Sequence, residues 1–139
     1  MLAAIALAGV LLGAQPAPTP APAPQTLIVD LDADHHPDTV VLTQAPQQLQ
    51  IVVTYGDPRW KPESFIFTVD PNREDAVCAL PVSLQRETLG YDLTKAVGQH
   101  VDGFVRSAHL YGFAVIDNRC DSLHFFYNHK TKHMQWWRL

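Results

Sequence analysis

Residues 26–43 read TLIVDLDADHHPDTVVLT and place an aspartate-rich loop between two short apolar segments. The segments 26–30 and 39–43 consist mainly of aliphatic and β-branched residues, a composition that predicts strands. The loop has an acidic residue at every second position from Asp30 to Asp34 and another at Asp38. The stretch therefore predicts a strand, a turning acidic loop and a second strand, which indicates a β-rich fold.

The strand pattern continues along the rest of the chain. Strands are predicted at 49–55, 64–68, 111–116, 122–127 and 134–138, with turn residues between them. In residues 93–108, Gly98 and Gly103 interrupt a helical spacing of apolar residues, which indicates a loop with at most a short helix. Short connections favour antiparallel neighbours. We expect a mainly β fold: a small single domain with an antiparallel sheet and a C-terminal meander.

The N-terminal segment has the character of an export signal. The first 25 residues contain no charged side chain, and Met1 to Gly13 is an apolar run. Such a run is too short to span a bilayer and fits the core of a secretory signal peptide. We expect a signal peptide at 1–14, a Pro/Ala-rich linker at 15–25 and a single β-rich domain at 26–139. The protein is then periplasmic or secreted, with no membrane span after signal cleavage. An uncleaved anchor or a misassigned start codon is the alternative.

Cys78 and Cys120 are the two cysteines of the chain, and no CxxC or Cys/His metal spacing surrounds them. In an exported protein, a single disulfide is the expected state of such a pair. Closing a loop of about forty residues would stabilise the fold by roughly 3–4 kcal/mol in the chain-entropy model. The alternative is a pair of reduced, buried thiols.

The negative charge of the chain is concentrated in the aspartate loop. Fourteen acidic and ten basic residues give a net charge of −4, and the loop supplies four of the acids. Without those four, ten acids would face ten bases. Such a loop repels itself unless a cation or strong hydrogen bonding offsets the charge. Calcium takes about six to eight oxygen ligands from carboxylates and carbonyls. We therefore expect a calcium site whose ligands are Asp30, Asp32, Asp34, Asp38 and the backbone carbonyl of His36.

The segment 28–42, IVDLDADHHPDTVVL, resembles the calcium-loop unit of FG-GAP and VCBS repeats, in which a D-x-[DN]-x-D-G-x-x-D loop joins two apolar strands. The resemblance implies that the loop binds calcium. In that family several repeats assemble into a propeller, whereas this chain has a single copy. The family's glycine at the sixth loop position is His35 here, and a positive φ at this position would strain His35 by about 1 kcal/mol. Another divalent metal, or a structural turn without an ion, is the alternative.

Transition-metal binding through His35 and His36 is a weaker hypothesis. Neighbouring residues in an extended segment point in opposite directions, so both imidazoles do not easily reach one ion. Zinc sites also usually recruit ligands from more than one segment. We expect these two histidines to lie in a solvated turn.

Aromatic and basic residues are concentrated in residues 122–139, SLHFFYNHKTKHMQWWRL. Successive side chains of a strand face opposite sides, so we expect one of Trp136 and Trp137 in the core and the other exposed. An exposed tryptophan among basic residues suits a protein or glycan partner, which makes Trp136, Trp137 and Arg138 the predicted partner-binding residues. The alternative is a strand covered on both sides. Nucleic acid is not an expected partner, because the folded region carries no net positive charge.

No catalytic motif is recognisable in the sequence. Glu63, Glu74 and Glu87 form no evident acid/base pair, and the chain has no Gly-x-Ser-x-Gly motif. We expect an exported non-enzymatic binding or structural module with a calcium-stabilised aspartate loop. The alternative is a small cell-envelope hydrolase or an inhibitor of a hydrolase. An enzyme should show a perturbed carboxylate or histidine in a pocket away from the loop, whereas a binding module should show an exposed aromatic patch.

Overall fold

Two four-stranded antiparallel sheets form the fold in residues 21–139, which are the residues that the computed structural model describes. The first sheet contains, in spatial order, β1 (Gln25–Val29), β2 (Asp38–Ala45), β3 (Gln48–Thr54) and β4 (Glu63–Thr68). The second contains β5 (Ser83–Leu89), β6 (Ser107–Ile116), β7 (Leu123–Asn128) and β8 (His133–Trp137). Within the described residues the one helix is α1 (Leu93–Val97).

The predicted mainly β class, the antiparallel pairing and the C-terminal meander are confirmed, since β6, β7 and β8 are antiparallel neighbours. The sequence did not predict β5 or the division into two sheets. β1 begins at Gln25, the last residue of the predicted linker. The predicted signal peptide at 1–14 and linker residues 15–20 lie outside the described residues. Between residues 21 and 139 there is no helix with the length and apolar character needed to cross a membrane.

The core lies between the two sheets, because alternate side chains of each strand point to the same face. From the first sheet, Val40, Leu42 and Ile51 are fully buried. From the second, Phe113 and Phe125 stack with their ring centroids 4.5 Å apart. Each buried side chain of this size contributes roughly 1.5–3 kcal/mol. The inward-facing positions of the strands therefore provide most of the stabilising burial.

Two glutamine side chains join the first sheet to the chain entering β5. Gln25 donates to the carbonyl of Val82 (2.7 Å) and accepts from the N–H of Leu84 (2.9 Å). The buried Gln44 makes a similar two-way pair with Val82, at 3.2 and 2.8 Å. Side-chain amides here act as the hydrogen-bonding partners that a neighbouring strand would otherwise supply. These contacts explain how β5, a largely polar segment, is held at the edge of its sheet.

The outer faces of the two sheets differ. On the second sheet, the segment 90–106 helps cover a small apolar cluster made of Leu89, Leu93 and Phe126. On the first sheet, apolar side chains such as Ile28 and Ile66 remain open, with 66% and 61% of their surface exposed. The outer face of the second sheet is therefore covered over this cluster, whereas apolar residues on the outer face of the first sheet stay open.

The predicted cysteine pair is at disulfide distance, with the Sγ atoms of Cys78 and Cys120 1.90 Å apart. Cys78 belongs to the connection between β4 and β5, and Cys120 follows β6. The buried carboxylate of Asp117 supports the same junction, because it accepts the backbone N–H groups of Cys78 (2.7 Å) and Cys120 (2.8 Å). The long β4–β5 connection is thereby attached to the C-terminal meander.

Candidate metal centre

The aspartate loop connects β1 to β2, and its last acidic residue closes it. Asp38 pairs with Val29 as the first residue of β2 and is fully buried. Its Oδ2 accepts the N–H of Leu31 at 2.7 Å, and its Oδ1 accepts the N–H of Gly56 at 2.8 Å. Asp38 therefore holds the start of the loop and also ties the loop to the β3–β4 connection.

The structure brings three of the four predicted carboxylates together. Asp30, Asp32 and Asp38 each offer an oxygen, and these oxygens lie within 4.8 Å of one another. All three potential metal ligands are carboxylate oxygens, which suit a hard divalent cation such as calcium. Three carboxylates do not complete a calcium shell of about six to eight oxygens. Backbone carbonyls and water would have to supply the remaining ligands.

Asp34 lies outside this group of three. Its Oδ1 accepts the N–H of His36 at 2.7 Å, and its Oδ2 is 3.3 Å from the Nδ1 atom of the same histidine. Asp30 accepts the N–H groups of Asp34 (3.2 Å) and His35 (3.1 Å), which keeps the loop tightly turned. The imidazoles of His35 and His36 are 96% and 65% exposed, in keeping with the expected solvated turn.

The carboxylates of the loop disturb each other's protonation. Burial, together with the negative charges of Asp38 and Asp34, raises the pKa of Asp32 to about 6. Burial also raises the pKa of Asp38, despite the opposing hydrogen bonds from Gly56 and Leu31. The pKa of Asp34 is lowered, chiefly because its carboxylate accepts the N–H of His36. A bound cation would offset the repulsion that Asp32 and Asp38 experience.

Two non-glycine residues of the loop have left-handed backbone conformations. The φ angle of His35 is 69° and that of Ala33 is 63°. Nothing in the spacing of the aspartates indicates the conformation of Ala33. A left-handed conformation costs an L-residue on the order of 1–2 kcal/mol, so the loop stores strain at both positions. The backbone at Gly56 approaches the loop so closely that a side chain does not fit, because an added Cβ would lie 2.7 Å from the Cβ of His36.

A tyrosine from each sheet lies beside the loop. Tyr55, at the end of β3, donates its hydroxyl to Glu63 at 2.5 Å and packs edge-on against Tyr127 of β7. Burial raises the pKa of Tyr127, and the neighbouring charge of Asp32 raises it further. The sequence does not indicate that either tyrosine lies beside the loop, because only the packing of the two sheets brings them there. The candidate metal centre thus lies where the ends of both sheets meet.

Trp136 and Trp137, two of the predicted partner-binding residues, make contacts within the fold. Trp136 packs edge-on against Phe67, with ring centroids 5.3 Å apart. Trp137 stacks on His124 at 4.5 Å and donates from Nε1 to the hydroxyl of Tyr91 at 3.2 Å. The expectation that one of the two indoles is exposed is wrong, because the covered outer face of the second sheet buries part of Trp137 as well.

Arg138, the third predicted partner-binding residue, is also engaged internally. Its side chain is 9% exposed, and its guanidinium donates to the carbonyls of Ala76 and Asp121, each at 2.7 Å. The tryptophan with the largest exposure is instead Trp60, at 40%, in the β3–β4 connection. Partner binding through the C-terminal residues stays a prediction, and their contacts favour a structural role.

Comparison with known proteins gave no match: no family model, curated protein or solved structure is similar to the chain. The resemblance of residues 28–42 to FG-GAP and VCBS repeats is therefore neither confirmed nor contradicted. The function is therefore inferred from the geometry of the aspartate loop and its neighbours.

Proposed function

We propose that this protein is an exported, non-enzymatic binding or structural module whose aspartate loop binds one calcium ion. The observation that carries the proposal is the convergence of Asp30, Asp32 and Asp38, whose oxygens lie within 4.8 Å of one another. The ion would neutralise a loop that supplies four of the fourteen acidic residues of a chain with net charge −4. Its role would be to order the loop and the strand ends around it.

Asp38 explains how an ion in the loop would stabilise more than the loop. Its carboxylate also accepts the N–H of Gly56, in the connection between β3 and β4. An ion that fixes the Asp38 carboxylate would therefore fix the position of this second connection. The resemblance to FG-GAP and VCBS loops supports calcium over other hard cations. Magnesium demands a smaller, near-octahedral shell and usually retains several waters.

Three carboxylates outside the loop are engaged in hydrogen-bonded ion pairs. Hydrogen bonds from Arg59, Arg73 and Lys130 lower the pKa of their partners Asp57, Asp75 and Asp102, respectively. These carboxylates are therefore held in the charged form and are poorly suited to accept and return a proton near neutral pH.

The proposal for export rests on the apolar segment at 1–14 and on the cysteine pair. Cys78 and Cys120 are at disulfide distance, and disulfides persist in the periplasm and outside the cell. Calcium is abundant enough outside the cytosol for sites with dissociation constants of about 10⁻⁴–10⁻³ M. A loop strained at two positions would suit this affinity range.

Thermal unfolding of the oxidised protein in calcium and in EDTA tests the proposal. Calcium at a hundredfold excess over its dissociation constant stabilises a protein by about 2.7 kcal/mol. For a domain of this size we expect a rise in Tm of roughly 10 °C. The rise should disappear in Asp32→Ala, which removes one converging carboxylate, and magnesium at the same concentration should give a smaller rise.

The matched control is Asp75→Ala. Asp75 is an exposed carboxylate paired with Arg73 and lies outside the loop. This variant should keep the full calcium-dependent rise in Tm. Equal midpoints in calcium and in EDTA for the unmodified protein would contradict the proposal, and so would an undiminished rise in Asp32→Ala.

A further inference from the structure

A cleft of about 340 Å³ opens beside the aspartate loop, between the β3–β4 connection and the start of β8. We call it the Trp60 cleft and define it by Tyr55, Trp60, Lys61, Glu63, Lys132 and His133. Its volume is within the usual range of small-ligand sites, roughly 300–1,000 Å³. Its residues come from both sheets, so the cleft exists only in the folded domain.

The floor of the cleft is a fixed group of polar atoms. The hydroxyl of Tyr55 donates to Glu63 Oε1 at 2.5 Å, and the N–H of Met134 lies 3.2 Å from both Glu63 oxygens. The Glu63 side chain is 18% exposed. An ionised carboxylate accepts hydrogen bonds and has no proton to donate. It therefore suits a ligand that brings its own hydroxyl donors.

Trp60 forms one wall of the cleft and lies in a turn held by hydrogen bonds to Asp57. Its N–H donates to the carbonyl of Asp57 at 3.1 Å, and the N–H of Arg59 donates to the Asp57 carboxylate at 2.9 Å. Asp57 is buried, and its hydrogen bonds from Arg59 hold its pKa near 2. The turn thus fixes the backbone at Trp60, whose side chain is 40% exposed.

The cleft carries positive charge in a chain whose net charge is −4. The guanidinium of Arg59 is already paired with Asp57. Lys61 and Lys132 take part in none of the ion pairs within 4 Å that the described residues form. Two cations without an acidic partner thus flank a floor that accepts hydrogen bonds. This combination selects for a ligand with hydroxyl donors and an acidic group.

We propose that the Trp60 cleft binds an acidic saccharide, with a sugar ring against the Trp60 indole. The sugar hydroxyls donate to Glu63, and the sugar carboxylate is attracted by Lys61 and Lys132. An acidic peptide also brings carboxylates and N–H donors, but it has no sugar ring to lie against the Trp60 indole, and its binding is the competing outcome of the test. The inference deepens the proposed binding function: through Gly56, the Asp38 carboxylate positions the connection that carries Trp60.

Calorimetric titration with trigalacturonate, at saturating calcium and low ionic strength, tests the inference. Maltotriose serves as the neutral saccharide and hexaglutamate as the acidic peptide. We expect trigalacturonate to bind at least tenfold more tightly than either. Trp60→Ala and the double variant Lys61→Ala/Lys132→Ala should each weaken binding at least tenfold. Lys95→Ala, an exposed lysine on α1, is the matched control and should leave binding unchanged.

Trigalacturonate without measurable binding would overturn the inference, and so would binding that neither variant weakens. Hexaglutamate binding of equal strength, unaffected by Trp60→Ala, would show a charge-driven peptide site instead. The calcium-dependent Tm is measured without any saccharide. A normal calcium response with no saccharide binding therefore rejects the acidic-saccharide site alone, whereas a missing calcium response rejects the proposed metal centre.

Discussion

Asp38 and Asp117 are two buried aspartates that organise turns in opposite parts of the chain. Asp38 is 0% exposed and accepts two backbone N–H groups, and Asp117 is 6% exposed and accepts three. Each carboxylate joins its own turn to a distant segment. Asp38 reaches the β3–β4 connection, and Asp117 reaches the β4–β5 connection. In both turns, therefore, one buried carboxylate accepts backbone N–H groups from its own turn and from a distant segment.

The charges around the two aspartates differ. Burial raises the pKa of Asp38, and the nearby carboxylates of Asp30 and Asp34 raise it further against two hydrogen bonds. Burial acts on Asp117 in the same direction, but three backbone N–H groups and the Arg138 guanidinium, 3.9 Å away, outweigh it and lower the pKa. One turn contains its own cation, whereas the other contains further anions. For this reason we propose an ion from solution for the aspartate loop and none for the Asp117 turn.

The largest expected effect comes from Asp117→Ala. The substitution leaves three backbone N–H groups without their acceptor and removes the carboxylate 3.9 Å from the Arg138 guanidinium. Unsatisfied buried donors cost roughly 1–3 kcal/mol each at most sites, so we expect a loss of about 3 kcal/mol in the free energy of unfolding. The loss should be the same in calcium and in EDTA, as measured by urea denaturation. A loss that appears only in calcium would contradict the assignment of Asp117 to an ion-independent turn.

Asp32→Asn should lower the free energy of unfolding only in calcium, in contrast to Asp117→Ala. The amide retains the size of the side chain but removes one charge from the converging group. In saturating calcium, the free energy of unfolding should fall by about 2.7 kcal/mol, the value for a hundredfold excess of ligand. In EDTA it should stay equal or rise, because repulsion with Asp38 and Asp34 is relieved. A large loss in EDTA would indicate that Asp32 has a structural role without an ion.

The stabilisation by calcium should depend on pH through Asp32. Its pKa is raised from an ordinary 3.8 to about 6 in the ion-free fold. Between these values the folded state holds a proton that the unfolded state has released, so ion-free stability falls as pH rises through this window. Calcium requires the charged form and competes with this proton. The difference in stability between calcium and calcium-free buffer should therefore grow from pH 4 to pH 6 and level off above pH 7.

This pH dependence is measured by urea denaturation in buffers freed of calcium by a chelating resin, because EDTA binds calcium weakly in acid. Asp32→Asn is the control and should show little calcium response at any pH. A calcium-dependent stabilisation that stays constant from pH 4.5 to pH 7.5 would contradict the role of Asp32.

The smallest effect should come from the strained backbone of the loop. Ala33→Gly removes the left-handed strain at φ 63°, and the added flexibility of the unfolded chain offsets part of the gain. We expect a net stabilisation of about 0.5 kcal/mol. Gly98→Ala is the opposite control: its φ is 74° with nothing within 4 Å of an added Cβ, so it should cost about 1 kcal/mol through the backbone alone. An unchanged stability in Ala33→Gly would show that the loop bears no strain there.

Local patterns were sufficient to predict most of the strands but not their assembly. β2 and β3 alternate clearly between inward and outward residues, and their bounds are close to those predicted. β5 contains three charged or amide residues and no such alternation of large apolar side chains. Its place depends on β6 and on the distant amides of Gln25 and Gln44. Contacts of this range leave no periodic signal in the sequence.

The site was predictable only as far as its residues are neighbours in the chain. The spacing of the aspartates indicated the loop, and the structure groups Asp30, Asp32 and Asp38 but not Asp34. The Trp60 cleft required the folded domain, since Glu63 meets the N–H of Met134 across 71 positions. The expectation that one of Trp136 and Trp137 is exposed was wrong because strand alternation does not reveal that another segment covers the outer face.

The central claim is that the aspartate loop binds one calcium ion, and calorimetric titration of the oxidised protein with calcium at pH 7 tests it most directly. The account predicts one ion per chain in the unmodified protein and in Asp75→Asn, and no measurable binding in Asp32→Asn. No calcium binding by the unmodified protein, or binding that survives unchanged in Asp32→Asn, would contradict it.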